Sequence, residues 1–435
     1  MDARAVLALL AGGLVLAERG RAPDPAALGP LAVPFAERWA RPADDVLAVT
    51  DGVVVVTSVA SATRSLRGLD AVTGDELWSV RLHPTGPADS CTAGVTLEPP
   101  TAWCARDEHW VAEGGGGSHL APPALVAVDA RDGTVGEVRE LPGASGNQTL
   151  VDGDLLLAQL QDGVLTIRRV DPRGWRDVWA ADVQLELRPG LGHRVELSAE
   201  GRFVVLRGPT TAVLDAADGA VLQVWGPPED RVNASLDGAD VAVGPDGFGA
   251  WVTAVEGLRL DSGTWFDASG TPVTELDGLL AEPVQSDGSV PRVLLVTRQE
   301  GRTLVGVDAT SGADLWSLRL DGGRVVSRRD GAVLLATEGR LRSVEVLTGI
   351  ERWSREVVGL RPWLAALSDG STVVVSSVRD RRWMLDAFRE ADGQALWFAQ
   401  VPGTSEIVFA AYPPFVELVS GRPVVWLGRT LVWVA

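Results

Sequence analysis

Short runs in which apolar and polar residues alternate recur along most of the chain, separated by turns rich in glycine, aspartate and proline. Two clear examples run from Asp45 to Ala60 and from Gly370 to Arg379. Alternation with a period of two predicts β-strands, and no helical period extends across these windows. The pattern therefore predicts an all-β protein built from many short strands.

One motif returns at the ends of these strands. An acidic residue closes a strand, a glycine follows about four residues later, and a tryptophan often stands four residues after the glycine. The clearest copies are Asp70, Gly74 and Trp78; Asp308, Gly312 and Trp316; Glu345, Gly349 and Trp353; and Asp386, Gly393 and Trp397, the last with three residues inserted before the glycine. Weaker copies begin at Asp129, Asp171, Asp215 and Asp267.

The motif's residue types suit a structural role. An aspartate at the end of a strand accepts hydrogen bonds from the amides of the following turn, and glycine supplies the positive φ that the turn requires. The tryptophan ring is expected to be buried against the adjoining sheet, with its indole N–H on a carbonyl oxygen. Successive acidic positions lie 37 to 59 residues apart, which is the length of a four-stranded propeller blade.

The pattern Asp-Ala-x-Thr-Gly-x-x-Leu-Trp, seen at Asp70–Trp78, resembles the PQQ-like (quinoprotein-type) repeat. That repeat occurs in PQQ-dependent dehydrogenases and in the propeller lipoprotein of the outer-membrane barrel-assembly machinery. The resemblance covers about residues 39–435 and implies a single β-propeller of the WD40-like kind. It implies little about function, because non-catalytic propellers share these repeats.

The number of blades has two interpretations. Eight acidic positions mark eight units, and the family resemblance favours eight blades. Counting every strand gives nine, because three more short strands follow Glu406 without a tryptophan strand after them. The missing strand is then Phe35–Ala40, which contains Trp39, and we expect it to pair with the final strand and close the propeller by joining the two termini.

The N-terminal segment has its own composition. Residues 5–17 form an uncharged apolar run of 13 residues, which is too short to cross a bilayer alone. It is either a signal sequence or part of a truncated membrane anchor, and the absence of a clear cleavage site favours the anchor. We therefore divide the chain into residues 1–17, a proline-containing linker at 18–34 and a propeller at 35–435, and expect an extracytoplasmic, membrane-associated protein tethered through its N-terminus.

The two cysteines, Cys91 and Cys104, flank a turn signal between two apolar runs. A hairpin there brings both sulfur atoms within bonding reach, and we expect a disulfide rather than two buried thiols. A disulfide in turn requires an oxidising compartment.

The formal net charge is −19, and the chain has no lysine. Such a surface repels phosphate backbones, so we expect no nucleic-acid partner. The bias towards Ala, Gly, Val and Arg is typical of a GC-rich genome.

Motifs that would identify an enzyme are missing from the sequence. There is no Cys-Cys dipeptide of the kind that the resemblance implies beside a PQQ cofactor, no G-x-S-x-G, and no metal-binding spacing among the histidines. We therefore expect no catalytic residues, no metal site and no cofactor. The long insertion at 105–124 remains a possible contact loop, with His109, Trp110 and His119 as its candidate residues.

These observations predict a non-catalytic propeller that binds a protein or a small ligand through its loops. Two alternatives stay open. One is a PQQ-dependent quinoprotein dehydrogenase, and the other is an envelope-assembly scaffold.

Overall fold

The structure, a computed structural model, describes part of the chain. The described residues are 31, 37–50, 52–60, 63–84, 91–94, 99–106, 109–112, 118–121, 124–141, 144–161, 164–184, 195–208, 210–226, 239–244, 246–251, 263–281, 285–299, 301–361, 366–401, 415–419, 422–427 and 429–434. Within these ranges every regular element is a β-strand. Residues 1–30, with the apolar run and most of the expected linker, lie outside the described part.

The strands form successive antiparallel meanders, here called blades 1 to 9. One strand, β1 (Glu37–Pro42), precedes them all. Blade 1 contains β2 (Asp45–Val49), β3 (Val53–Ala60), β4 (Thr63–Asp70) and β5 (Glu76–Pro84).

Blade 2 carries an extra hairpin between its second and third strands. Its chain order is β6 (Cys91–Gly94), β7 (Thr101–Arg106), β8 (His109–Ala112), β9 (Ser118–Ala121), β10 (Ala124–Asp129) and β11 (Val135–Glu140). Strands β6, β7, β10 and β11 form the blade, and β8 and β9 pair with each other.

Blades 3 to 5 have four strands each. Blade 3 contains β12 (Ala144–Val151), β13 (Asp154–Gln161), β14 (Val164–Asp171) and β15 (Arg176–Gln184). Blade 4 contains β16 (Glu196–Glu200), β17 (Phe203–Arg207), β18 (Thr211–Asp215) and β19 (Val221–Trp225). Blade 5 contains β20 (Asp240–Gly244), β21 (Gly247–Trp251), β22 (Gly263–Asp267) and β23 (Pro272–Leu276).

Along the chain, one short strand of blade 7 lies between the first two strands of blade 6. Their strands in order are β24 (Leu279–Leu280), β25 (Gln285–Ser286), β26 (Val293–Arg298), β27 (Thr303–Asp308), β28 (Asp314–Arg319), β29 (Arg324–Arg329), β30 (Ala332–Thr337), β31 (Arg340–Glu345) and β32 (Glu351–Glu356). Blade 6 is β24, β26, β27 and β28. Blade 7 is β29 to β32, and β25 adds to it as a fifth strand, parallel to β29.

Blade 8 contains β33 (Ala366–Ser368), β34 (Thr372–Arg379), β35 (Arg382–Arg389) and β36 (Ala395–Gln400). Blade 9 contains β37 (Phe415–Val419), β38 (Arg422–Leu427) and β39 (Thr430–Val434), and β1 pairs with β39 as its fourth strand. The described residues thus form nine blades of the β-propeller class. The expected all-β propeller and the pairing of the terminal strands are confirmed. The expected eight blades are wrong and the alternative of nine is right, because β1 completes the last meander.

The chain forms two compact units. Residues 41–240 contain blades 1 to 4, while residues 1–40 and 241–435 contain blades 5 to 9.

Burial follows strand position within a blade. The second strands are largely apolar and buried, as in Val53–Val56 of β3 and Phe203–Leu206 of β17. The fourth strands are largely exposed, and five of the six residues of β11 are solvent-exposed. Because the second strands are packed on both faces, they read as continuous Val and Leu runs.

The repeat motif forms the turn between the third and fourth strands. In blade 1, Asp70 Oδ1 accepts hydrogen bonds from the amides of Val72 and Thr73, both at 2.8 Å. Gly74 has a φ of 71° and donates its amide to the Asp70 carbonyl. The acid and the glycine therefore have the roles expected from the sequence.

The repeat tryptophans join consecutive blades. Trp316 of blade 6 covers Gly349 of blade 7, where a Cβ would lie 2.8 Å from the ring, and its Nε1 donates to the Val346 carbonyl at 2.7 Å. Trp353 of blade 7 covers Gly393 of blade 8 and donates to the Glu390 carbonyl at 2.8 Å. Only glycine leaves room for an indole over the turn, so the glycine serves both the backbone and the packing between blades.

One repeat position predicted from the sequence is wrong. Asp386 lies inside β35, is 3% exposed, and pairs with Arg379 and Ser377. The turn position belongs to Arg389, whose carbonyl accepts the Gly393 amide at 2.8 Å. No residues are inserted in this copy; the acid is replaced by arginine, and the spacing to Gly393 and Trp397 is the ordinary one.

A second departure is an exchange of roles between blades 2 and 3. Blade 2 has Glu137 where blades 1, 3, 6, 7 and 8 have the docking tryptophan, and the blade 3 turn has Trp175, at φ 49°, where others have glycine. The Trp175 ring lies 4.4 Å from the Arg139 guanidinium carbon and 5.9 Å from the Trp103 ring. The indole between these blades is thus supplied by the turn rather than by the fourth strand.

Candidate functional site

The insertion in blade 2 is a β-hairpin. Strand β8 pairs antiparallel with β9, placing His109 opposite Ala121 and Val111 opposite His119. The segment expected to be a loop therefore contains a ladder of four residue pairs, and the candidate histidines lie at diagonal backbone positions in it. The side chains of His109, Trp110 and His119 lie outside the described part.

The hairpin continues the middle of the blade. Arg106 of β7 pairs with Ala124 of β10, and His109 pairs with Ala121 three residues further along each strand. The two ladders therefore share one register. At about 3.3 Å per residue, the four residues of β8 correspond to roughly 13 Å.

Equivalent turns in three other blades are short, whereas in blade 5 eleven residues separate Trp251 of β21 from Gly263 of β22. Two residues connect the second and third strands in blade 1, between Ala60 and Thr63, in blade 3, between Gln161 and Val164, and in blade 8, between Arg379 and Arg382. In blade 2 the corresponding connection runs from Arg106 to Ala124. The hairpin is an addition to the four-stranded repeat, and its strands pair with each other, which favours a role in contact.

The disulfide expected from the sequence is present between Cys91 and Cys104. The two residues are directly opposite each other in β6 and β7 and are 4% and 1% exposed. They belong to the hydrophobic cluster that includes Val55, Leu66 and Val126. The bond therefore lies in a hydrophobic core formed by residues of blades 1 and 2.

This placement bears on a quinoprotein cofactor. The resemblance implies a disulfide of adjacent cysteines next to the bound quinone, whereas here the bond joins neighbouring strands inside an apolar core. The described cysteines thus do not fit that cofactor environment. Among the residues that the structure describes, no group of three or more His, Cys, Asp or Glu side chains is placed to hold a metal ion.

A cluster of buried polar side chains lies between blades 7 and 8. Glu390 Oε1 accepts a hydrogen bond from Ser327 Oγ of β29 at 3.4 Å and one from Ser368 Oγ of β33. Both serines are at most 3% exposed. Burial raises the pKa of Glu390, while its hydrogen bond to Ser368 and the charge of Arg329 act in the opposite direction.

Glu390 stands at a repeat position that is otherwise apolar. The residue after the turn acid donates its amide to the carbonyl of the turn between the first two strands, as Ala71 does to Gly52 and Val346 to Gly331. Glu390 makes the same bond to Ser371. Sequence reasoning missed this glutamate because Asp386 was taken as the turn acid; aligning the copies on Gly393 and Trp397 shows an Arg-Glu pair where others have acid-Ala or acid-Val.

The fifth strand of blade 7 was also not predicted. Residues 285–286 pair in parallel with Ser327 and Arg328. Arg328 is 5% exposed and donates through Nε to the Ser289 carbonyl at 2.8 Å. Two residues are too few to give an alternating pattern, so no sequence signal announces this strand.

The C-terminal half of the chain matches a known family. Residues 242–435 fit the sequence profile of the family described as outer membrane protein assembly factor BamB. The same turn motif with its docking tryptophan occurs in the N-terminal blades, at Trp78 and Trp179. Residues 242–435 are therefore similar to the PQQ-like repeat family, and the described strands form four-stranded blades of the propeller type.

Solved structures similar to this chain match it at low sequence identity. BamB from Moraxella catarrhalis is 14% identical with a TM-score of 0.38, over 82% of this chain and 97% of that one. A quinohemoprotein alcohol dehydrogenase from Pseudomonas putida HK5 is 10% identical with a TM-score of 0.36, over 82% and 72%. A eukaryotic initiation factor is 8% identical with a TM-score of 0.50, over 85% and 89%. No curated protein sequence matches the chain.

No helix long and apolar enough to span a membrane occurs among the described residues.

Proposed function

We propose that this PQQ-like propeller is a non-catalytic extracytoplasmic binding protein, tethered to the membrane through its N-terminal segment, which contacts a protein partner through the β8–β9 hairpin. The observation that carries the proposal is the in-register extension of β7 and β10 beyond the blade. Insertions that extend from a rigid repeat scaffold are where binding function is commonly placed.

Two features support the extracytoplasmic location. The chain's two cysteines form a disulfide, and disulfides persist in oxidising compartments. The apolar run at residues 5–17 supports a membrane tether. The extracytoplasmic location and the membrane tether are both parts of this proposal.

Capture of the partner from intact cells tests the contact role. The wild-type chain is compared with a variant in which residues 107–123 are replaced by Asn-Gly. Because Arg106 and Ala124 are directly paired, a two-residue turn closes this hairpin, as residues 380–381 do between Arg379 and Arg382. After crosslinking, we expect a partner that copurifies with the wild type and is lost from the shortened variant.

The shortened variant must keep its fold for the comparison to hold. An unchanged thermal midpoint establishes this, since the removed residues lie outside the blade ladder. A partner retained equally by both forms would refute the hairpin as the contact site.

A second candidate is an envelope-assembly scaffold. It is favoured by the match of residues 242–435 to the family of outer membrane protein assembly factor BamB. Deleting the gene and quantifying outer-membrane proteins tests it, and an unchanged envelope protein content would argue against this role.

The enzymatic alternative is tested separately. Purified protein is supplied with PQQ and Ca²⁺, and dye reduction is recorded with alcohols and sugars. The proposal expects no turnover above a protein-free control, and turnover would replace it with a quinoprotein dehydrogenase.

A further inference from the structure

The disulfide lies near the base of the β8–β9 hairpin, that is, near the Arg106–Ala124 pair. Cys91 is the first residue of β6, and the β6–β7 ladder runs from the Thr101–Gly94 pair to the Cys104–Cys91 pair. Beyond Cys104, β7 continues to Arg106 and pairs there with β10. Among the described residues, the covalent bond is thus made at the last residue pair between β6 and β7.

On the opposite side of this base, β10 is held by its hydrogen bonds to β11. Strand β11 accompanies β10 as far as the Glu140–Ala124 pair. Past Arg106 and Ala124, the β8–β9 ladder has no third strand among the described residues. A two-stranded hairpin alone is marginally stable in water, so its order depends on how firmly its base is held.

Separation of β7 from β6 at this base would spread directly into the hairpin. The two ladders share one register, so a shift or separation of β7 from β6 moves β8 by the same amount. A crosslink at Cys104 limits this motion two residues before the hairpin leaves the blade. The other blades contain no cysteine, and the two-residue turns of blades 1, 3 and 8 have no extension to support.

We infer that Cys91 and Cys104 are positioning residues for the β8–β9 hairpin: their bond fixes the base from which the contact element projects. The functional meaning of this inference rests on the proposed binding role of the hairpin. Its structural content is independent of any partner, because it concerns the order of the hairpin itself.

Amide hydrogen exchange on the full chain tests the inference. The wild type is compared with the double variant Cys91→Val/Cys104→Val, which keeps apolar side chains in the core and removes only the bond. We expect exchange at 109–112 and 118–121 to become at least about fivefold faster, with exchange in β12–β15 unchanged, because local opening is controlled by local ties. Equal hairpin exchange in the two proteins would overturn the inference.

A destabilised control separates positioning from general stability. Leu334→Ala, in the buried β30 of blade 7, lowers global stability and leaves the disulfide in place. Hairpin exchange should stay at the wild-type rate in this control under native conditions. Faster exchange there as well would mean that the disulfide acts only through global stability, and the inference would fail.

The two proposals fail in different ways. Faster hairpin exchange without the bond, together with a partner retained by the shortened variant, would leave the inference standing and remove the contact role. Unchanged exchange, together with loss of the partner from the shortened variant, would do the reverse.

Discussion

Trp397 donates its indole Nε1 hydrogen to the backbone carbonyl of Leu31, at 2.8 Å and across 366 sequence positions. The Leu31 amide in turn donates to Asp369 Oδ2 at 2.9 Å, and the leucine is 2% exposed among residues of blades 8 and 9. Trp179 and Trp316 donate to the residue after a turn acid, and Trp353 donates to the residue after Arg389. Leu31 therefore takes the place of the missing repeat turn, and the strand that follows it, β1, completes blade 9.

The first prediction concerns this closure. Removing residues 1–29 should leave the thermal midpoint nearly unchanged, whereas removing residues 1–41 should lower it substantially, because the second deletion exposes the edge of β39 and leaves Trp397 without its acceptor. Differential scanning calorimetry of the two truncated chains checks this. Equal midpoints would mean that blade 9 is stable without its N-terminal strand.

The second prediction concerns tryptophan docking. Trp316→Ala should lower the free energy of unfolding by about 3–5 kcal/mol, because it removes a large ring from between blades and the hydrogen bond to Val346. Leu315→Ala is the matched control, because Leu315 neighbours Trp316 in β28 and is 43% exposed. This substitution should lower the free energy of unfolding by less than about 0.5 kcal/mol. Chemical denaturation measures both, and similar losses would contradict the docking role.

How far the sequence predicts the fold is clear from this motif. The acid, glycine and tryptophan spacing predicts the turns and the four-stranded blades, because each residue type has a conformational or packing requirement that few others meet. The expectation of an acid at every turn leads to Asp386 instead of Arg389, although the turn needs only the backbone of that residue to form. The role of Trp175 has no sequence signal, because the glycine position of the turn is not expected to hold a bulky side chain.

The candidate site was less accessible from the sequence. The insertion between Arg106 and Ala124 was recognised from the long spacing, but its strands were not, because glycine-rich and histidine-containing stretches lack a clear alternation. The Glu390 cluster depends on Ser327 and Ser368, which lie 63 and 22 positions away along the chain. Such a cluster becomes visible only when blades 7 and 8 are placed side by side.

The third prediction concerns the turn aspartates. Hydrogen bonds from the Ser311 amide and hydroxyl and from the Thr310 amide lower the pKa of Asp308. A carboxyl group with a lowered folded pKa contributes stability that is present above its unfolded pKa, near 4, and lost as the pH falls through the folded value. Asp308→Asn should therefore show a smaller decrease in thermal midpoint between pH 7 and pH 3 than the wild type. An equal decrease would contradict this contribution.

The fourth prediction has the opposite sign. Because burial raises the pKa of Glu390, ionised Glu390 destabilises the folded state above the folded pKa, and protonation relieves this as the pH falls. Glu390→Gln should be at least as stable as the wild type at pH 7, with an advantage that shrinks towards pH 4. Thermal midpoints across that range test it, and a variant that is less stable at pH 7 would show that the charge is well compensated by Arg329.

The most direct measurement of the central claim, that the β8–β9 hairpin contacts a partner, is site-specific photo-crosslinking in intact cells. A photoreactive amino acid is placed at Trp110 in the hairpin and, as a matched control, at Val221 in β19, where the side chain is 42% exposed. The account predicts one dominant crosslinked species from position 110 and none of that species from position 221. The same products from both positions, or products from position 221 alone, would contradict it.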